Sequence, residues 1–295
     1  MIDAVIVSYR SAATLRGCVE PLAALPHVRV TVVDNASPDD SIATIEDIAA
    51  VDIVRAPRNG GFAYGCNLGV ARGSAPYVLF LNPDARIDEA SLAALTAVLD
   101  ADPKAALAGP KILDDDGSLA YSLRRFPRLR STYAKALFLH RLFPLARWTV
   151  ELIRDPAAYE QASTPEWVSG ACMLVRRDAY VALGGFDEDL FLYCEDTDLC
   201  LRLWQAGHTV NFEPAALVRH VGGASSGAGE TQAIAARSRI YYARKHQGRV
   251  AARLEALGVA LDEATHAAAA VTRPANRRGH LKALRAAVHP VSQTP

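Results

Sequence analysis

Residues 1–40 read MIDAVIVSYRSAATLRGCVEPLAALPHVRVTVVDNASPDD, and their pattern decides how the rest of the chain is read. Ala4 to Tyr9 is a short run rich in β-branched residues, the signature of a strand buried on both faces. Ala12 to Leu25 carries its apolar residues at helical spacing, and Arg29 to Asp34 returns to the β-branched pattern. A strand, a helix and a second strand in that order make a βαβ unit, because parallel neighbours need a crossover. Ser37-Pro38-Asp39-Asp40 then reads as a helix start, with Ser37 as cap and Pro38 at the first helical position.

The rhythm continues. Ile53 to Arg55, Tyr77 to Leu81 and Leu107 to Pro110 read as strands, with helices near Ala63 to Ala71 and Ser91 to Asp100. The expected class is therefore α/β, a mostly parallel central sheet flanked by helices. Ligands of such sheets sit at the carboxyl ends of the strands, and polar residues gather at those ends here: Ser8, Asp34-Asn35, Arg58-Asn59 and Asn82-Pro83-Asp84. From 123 to 166 the chain turns basic and aromatic with no strand rhythm, which reads as a mobile loop and short amphipathic helix beside the site. A strand from Trp167 to Val175 and a helix from Arg177 to Leu183 lead to the turn Gly184-Gly185-Phe186-Asp187. The domain plan is a catalytic domain over 1–225, a helical extension over 226–270 and a basic, frayed tail over 271–295.

With 295 residues and 51% hydrophobic content the chain can bury one substantial core. Its 32 basic and 32 acidic side chains give no global attraction to nucleic acid, so no nucleic-acid partner is expected. Five cysteines, with no C-x-x-C pair, point to reduced thiols in a cytoplasmic compartment. The opening MIDAVIVSY is too short for a signal peptide, and no apolar run is long enough to cross a bilayer.

The loop after the first strand, Ser8-Tyr9-Arg10-Ser11, lacks the G-x-G-x-x-G of a dinucleotide site, and no P-loop occurs anywhere. What remains is a nucleotide site built from acids and amides. Asp34 can accept a hydrogen bond from a pyrimidine imide, or simply form a turn with Asn35. Asn59-Gly60-Gly61-Phe62 lets backbone approach a diphosphate or its nucleoside, and is equally a turn before a helix. Asp84 projects from the end of a very hydrophobic strand, where a hard divalent cation shared with phosphate oxygens would fit as well as an Asn-Pro-Asp turn. His220 is a further candidate ligand or a structural histidine. In FLYCEDTDLCLRLWQAG (191–207), Glu195, Asp196 and Asp198 open a helix whose apolar residues Leu199, Leu203 and Trp204 recur at helical spacing. A carboxylate there is either a general base or a cap. The lead-in Phe191-Leu192-Tyr193 would deliver it from a half-buried wall that tunes its pKa.

The order of these motifs resembles an inverting glycosyltransferase of family 2, in its rhamnosyltransferase-like branch. The matching runs are Val7-Ser8-Tyr9, Val33-Asp34-Asn35-Ala36-Ser37, Asn59-Gly60-Gly61-Phe62-Ala63, Leu81-Asn82-Pro83-Asp84, Gly170-Ala171, Gly184-Gly185-Phe186-Asp187 and Tyr193-Cys194-Glu195-Asp196-Thr197-Asp198. The resemblance implies the GT-A fold with a C-terminal helical extension, and transfer of a sugar, rhamnose foremost, from a dTDP- or UDP-sugar to a hydroxyl of a glycan or lipid-linked acceptor in cell-surface polysaccharide or glycoconjugate synthesis. It implies Asp196 as base with Glu195 beside it, and a donor site of Ser8, Tyr9, Asp34, Asn35, Asn59, Gly60, Gly61, Phe62, Asn82, Asp84, Gly170 and Ala171. Mg²⁺ or Mn²⁺ would rest on Asp84 and His220, because Asn82 stands where the family's metal motif has its first aspartate. Two other readings are a nucleotide-sugar-binding protein with weak turnover and a nucleotidyltransferase, though the glycine-rich cationic loop of the latter is absent. The basic segment and tail suit a cytoplasmic enzyme held at the inner face of a membrane, and equally a loop closing over the donor or a contact between two copies of the chain.

Overall fold

The computed structural model describes residues 1–220, 228–270 and 274–288. Its chain forms two compact units, one of Met1–Arg124, Asp155–Glu188 and Asp196–Ser225, the other of Arg125–Arg154, Asp189–Glu195 and Ser226–Pro295. The strands are β1 (Ile2–Ser8), β2 (Val28–Asp34), β3 (Val51–Arg55), β4 (Tyr77–Leu81), β5 (Ala85–Ile87), β6 (Ala105–Leu113), β7 (Leu119–Ala120), β8 (Leu123–Arg124), β9 (Trp167–Val168), β10 (Cys172–Arg176) and β11 (Thr209–His220). The helices are α1 (Leu15–Ala23), α2 (Gly61–Val70), α3 (Glu89–Ala101), α4 (Leu129–Ala136), α5 (Leu139–Leu142), α6 (Arg177–Ala182), α7 (Glu195–Gln205), α8 (Ala228–His246), α9 (Gly248–Ala269) and α10 (Pro274–Val288).

The first unit holds a sheet of order β3-β2-β1-β4-β10-β6-β11-β5. Every residue of β1 is buried, as expected of a central strand covered on both faces. One face packs Ala4, Ile6, Val30 and Val32 against Leu15, Cys18, Val19 and Leu22, the i, i+3, i+4, i+7 stripe of α1. On the other face α2 approaches so closely that a Cβ on Gly69 would lie 2.4 Å from Val5 Cγ1, which excludes any larger residue there.

From β3 to β4 all pairs are parallel, but β10 runs antiparallel between β4 and β6, and β11 is parallel to β6. The reversal of β10 sets the position of the turn before it. Cys172, at the start of β10, pairs with Leu81 at the end of β4, so the turn before β10 lies at the carboxyl edge of the parallel strands. The strand expected over Trp167 to Val175 is in fact two, β9 and β10, broken at that turn.

The helix expected to start at Ser37 does not form; only a single 3-10 turn, Ile42–Thr44, follows. Asp34 Oδ1 accepts the Ser37 N–H at 2.9 Å, and Asp39 Oδ1 accepts the hydroxyls of Ser37 and Ser41, each at 2.5 Å. Such local side-chain bonds offer the backbone an alternative to helical pairing.

The second unit is helical. Segment 125–154, read from sequence as a loop with one short helix, supplies α4 and α5 to it. α4 is tied to α9 by Thr132 Oγ1 donating to Glu255 Oε1 at 2.6 Å and by Lys135 Nζ to Asp262 Oδ2 at 2.8 Å. The Arg239 guanidinium of α8, paired with Glu151 and Glu255, completes this network. The frayed tail is corrected as well: Pro274–Val288 is a helix whose Ala283 and Ala287 pack with Ala236 and Val259. Arg273, residues 289–295, the glycine-rich run 221–227 after His220, and with it the boundary placed at 225, lie outside the described residues.

Candidate active site

The order 3-2-1-4 places a topological switch between β1 and β4, and their carboxyl ends, with that of β2, form the rim where a ligand is expected. Ser8 and Asp34 pair in register at two of those ends. Ser8 is fully buried and its carbonyl accepts the Asn35 N–H at 2.9 Å. Its carbonyl is thus spent, whereas its Oγ, buried and without a hydrogen-bond partner among the described residues, is left for a ligand. Tyr9 lies beyond it, half-buried, with Arg10 stacked over its ring at 5.4 Å.

Asn35 is spent on positioning. Its Nδ2 donates to Asn59 Oδ1 and to the Gly61 carbonyl, both at 3.0 Å, and its Oδ1 accepts the Gly60 N–H at 3.1 Å. A buried amide with both ends satisfied holds the Asn59-Gly60-Gly61 loop against the end of β2 and has little left for a ligand. Gly61 needs its φ of +89° to turn the chain into α2, whereas Phe62 packs on Phe186 with ring centroids 6.0 Å apart.

At the end of β4, Asn82, Asp84 and His220 meet. His220 pairs with Ala85 where β11 runs antiparallel to β5, so it reaches the residue before β5: Asp84 Oδ1 lies 3.1 Å from His220 Nε2. Asn82 Nδ2 lies 3.2 Å from the same nitrogen. Among the described residues no group of three His, Cys, Asp or Glu forms a cage. One carboxylate, one imidazole and a neighbouring amide nevertheless fit a borderline or hard divalent ion whose other positions are filled by phosphate oxygens and water.

The turn before β10 joins this corner to Asp196. Ala171 accepts the Asn82 N–H at 3.0 Å, and the preceding residue, Gly170, donates its N–H to Asp196 Oδ2 at 2.9 Å. A side chain at Gly170 would crowd that oxygen, since its Cβ would lie 3.2 Å away. Asp196 Oδ1 accepts the Thr197 N–H at 2.7 Å and its hydroxyl at 3.2 Å. Burial raises the Asp196 carboxyl above the ordinary aspartate range, while these hydrogen bonds and the charge of Arg124 work against the rise.

The other acids of α7 differ. Asp198 is fully buried and bound by Arg202 Nε at 2.7 Å, and Arg202 in turn donates to the Leu183 carbonyl at 3.0 Å beside the Gly184-Gly185 turn. It is a fold residue. Glu195, also buried, opens the helix after two successive left-handed residues, Tyr193 (φ 68°) and Cys194 (φ 66°), a strained entry. The aromatic lead-in is not a uniform wall, since Phe191 is buried and Tyr193 is 41% exposed. Arg124 escaped the sequence reading as a site residue because it opens a basic run; only the β8–β9 pairing, Arg124 with Trp167, sets it near Asp196.

The model of a family described as "Glycosyl transferase family 2" matches residues 3–181. Among known proteins, N-acetylglucosaminyl-diphospho-decaprenol L-rhamnosyltransferase of Mycobacterium tuberculosis is 33% identical over 237 residues, which is 75% of this chain and 76% of the relative. Rhamnosyltransferase WbbL of Escherichia coli is 32% identical over 164 residues, 52% of this chain and 58% of the relative. Among solved structures, mannosyltransferase PcManGT of Pyrobaculum calidifontis, in complex with GDP-Man and Mn²⁺, aligns with TM-score 0.59 and 16% identity over 97% of this chain and 86% of that one.

Proposed function

Because the chain belongs to glycosyl transferase family 2 and has the GT-A fold, we propose that it is an inverting enzyme moving rhamnose from dTDP-rhamnose to a hydroxyl of a sugar carried on a lipid diphosphate. That it is a glycosyltransferase follows from the family; the donor, the acceptor and the residue roles are the proposal. The observation that carries it is the turn Gly170-Ala171, which binds Asn82 on one side and Asp196 on the other, so that a metal corner and a raised carboxylate share one rim.

Single displacement at an anomeric carbon needs a proton acceptor on the face of the incoming hydroxyl and charge neutralisation on the face of the departing diphosphate. Asp196 would take the acceptor hydroxyl's proton onto a carboxylate oxygen, its carboxylate held by Gly170 and Thr197. Asp34, at the end of β2, would read the pyrimidine imide. Asp84 and His220 would hold Mg²⁺ or Mn²⁺, which when bound supplies the positive charge that the diphosphate needs. With one base and no enzymic nucleophile the configuration inverts.

Thermal stabilisation by a panel of nucleotide sugars, with and without Mn²⁺, tests the donor. The expected result is a rise of a few degrees for dTDP-rhamnose at about a hundred times its Kd, worth about 2.7 kcal/mol, and none for GDP-mannose. Preference for a purine nucleotide would remove Asp34 from its role, and a product of unchanged anomeric configuration would remove inversion.

Membrane attachment belongs to the same reading. The helical unit carries 18 lysines and arginines against 7 acids, a net +11 in a chain whose total is zero. Within it Leu142 and Leu145 are 72% and 70% exposed, near Phe143, Trp148, Arg141 and Arg147. Cations beside exposed apolar side chains suit an anionic interface, each cation contributing about 1 kcal/mol close to the lipid. No helix among the described residues is long and apolar enough to cross a membrane. The protein is expected to sediment with anionic liposomes at low salt and to be released at high salt; failure at low salt would point to a free glycan or small-molecule acceptor.

A further inference from the structure

We propose that Arg124 and Ser122 form a subsite for a phosphate carried by the acceptor, on the Asp196 side of the Gly170-Ala171 turn. The inference rests on the lipid-diphosphate acceptor of the proposed function and names the residues that would read it. In the β8–β9 ribbon Leu123 pairs with Val168 and Arg124 with Trp167, and Ser122 accepts the Ser169 N–H at 3.1 Å through its carbonyl. Opposed residues of an antiparallel pair share a face, and successive residues alternate. Leu123 and Val168 therefore occupy one face, both buried, with Val168 against the backbone of Gly109. Ser122, Arg124, Trp167 and Ser169 occupy the other.

That second face holds two unspent polar groups. Ser122 is 3% exposed, and neither its Oγ nor Arg124 Nε has a hydrogen-bond partner among the described residues. Buried donors without partners are rare enough to call for a ligand or a trapped water. The guanidinium is already fixed in direction, stacked over the Trp167 ring at 5.2 Å, and Trp204 of α7 holds the ribbon by donating its Nε1–H to the Glu166 carbonyl at 3.0 Å. A pre-oriented planar fork is suited to phosphate.

Position decides which phosphate. The donor diphosphate belongs to the Asn82, Asp84 and His220 corner, joined to the turn through Ala171, whereas Arg124 acts on Asp196, joined through Gly170. A cation left alone beside a general base weakens that base. An anion arriving with the acceptor would offset Arg124 and leave Asp196 free to take the proton, so that the base reaches full strength only when an acceptor is in place.

The test compares two detergent-solubilised acceptors, N-acetylglucosaminyl diphospho-farnesol and the same sugar linked to farnesol without phosphate, with dTDP-rhamnose as donor and dTDP affinity as a check on folding. Wild type should prefer the diphosphate acceptor in kcat/KM by about tenfold or more, the size expected for a charged hydrogen bond. Arg124→Met should remove that preference by raising KM for the diphosphate acceptor alone, Arg124→Lys should restore part of it, and Ser122→Ala should weaken it less. Equal use of both acceptors by wild type, or equal loss on both in Arg124→Met, would overturn the subsite and leave the glycosyl transfer standing. Transfer to neither acceptor, with dTDP-rhamnose still bound, would overturn the subsite together with the lipid-diphosphate reading.

Discussion

Asp196→Asn is expected to lower sugar transfer by about two to four orders of magnitude while leaving dTDP affinity nearly unchanged, because loss of a positioned base costs that much and the proposed function assigns the nucleotide to other residues. The amide is isosteric and its oxygen can still accept from Gly170 or from Thr197, so the turn before β10 should survive. The pH dependence provides a second readout. Burial raises the Asp196 carboxyl above its ordinary value, so the base is competent above that raised pKa and activity is lost as pH falls through it. The acid limb of kcat/KM should therefore lie above the range of an exposed aspartate, and should be absent from the residual activity of the variant. Near-normal turnover would transfer the role to Glu195, since Asp198 is consumed by Arg202.

Asp84→Ala is expected to abolish the metal-dependent part of dTDP binding altogether. Asn82 offers no second carboxylate at this corner, and among the described residues His220 is the side chain within hydrogen-bond reach of Asp84. Calorimetric titration of dTDP in Mn²⁺ and in chelator should give two different affinities for wild type and one, the weaker, for the variant. His220→Ala should fall between them. An affinity still raised by Mn²⁺ in Asp84→Ala would make Asn82-Pro83-Asp84 a structural turn and remove the metal corner from the mechanism.

Much of this was open to inspection in the linear chain because it depends on local physics. Alternation of β-branched runs with helical spacing over the first hundred or so residues announces a parallel α/β sheet, since neither pattern can be satisfied by the other's period. The motif order then marks which strand ends carry polar side chains. What failed at this level failed where local signals compete. Ser37-Pro38-Asp39-Asp40 has the composition of a helix start, yet the carboxylates of Asp34 and Asp39 take the donors that a helix would have used. The tail is rich in arginine and reads as solvated, but its alanines at 283 and 287 find a helical groove to fill.

The sequence by itself determined the class of fold, the family, and the list of carboxylates and amides available for chemistry, because periodicity and motif order are properties of neighbours along the chain. Only the tertiary structure decided which groups each of them meets. The reversal of β10 brings Gly170 and Ala171 to the rim and so ties Asn82 to Asp196. The antiparallel contact of β5 with β11 brings Asp84 to His220, 136 positions away in sequence. The same packing spends Asn35 on a loop and Asp198 on Arg202, and turns Arg124 from one charge in a basic run into a neighbour of Asp196. A side chain's role follows from which groups share its space, and hydrogen bonds and burial between distant segments leave no mark on the spacing of either.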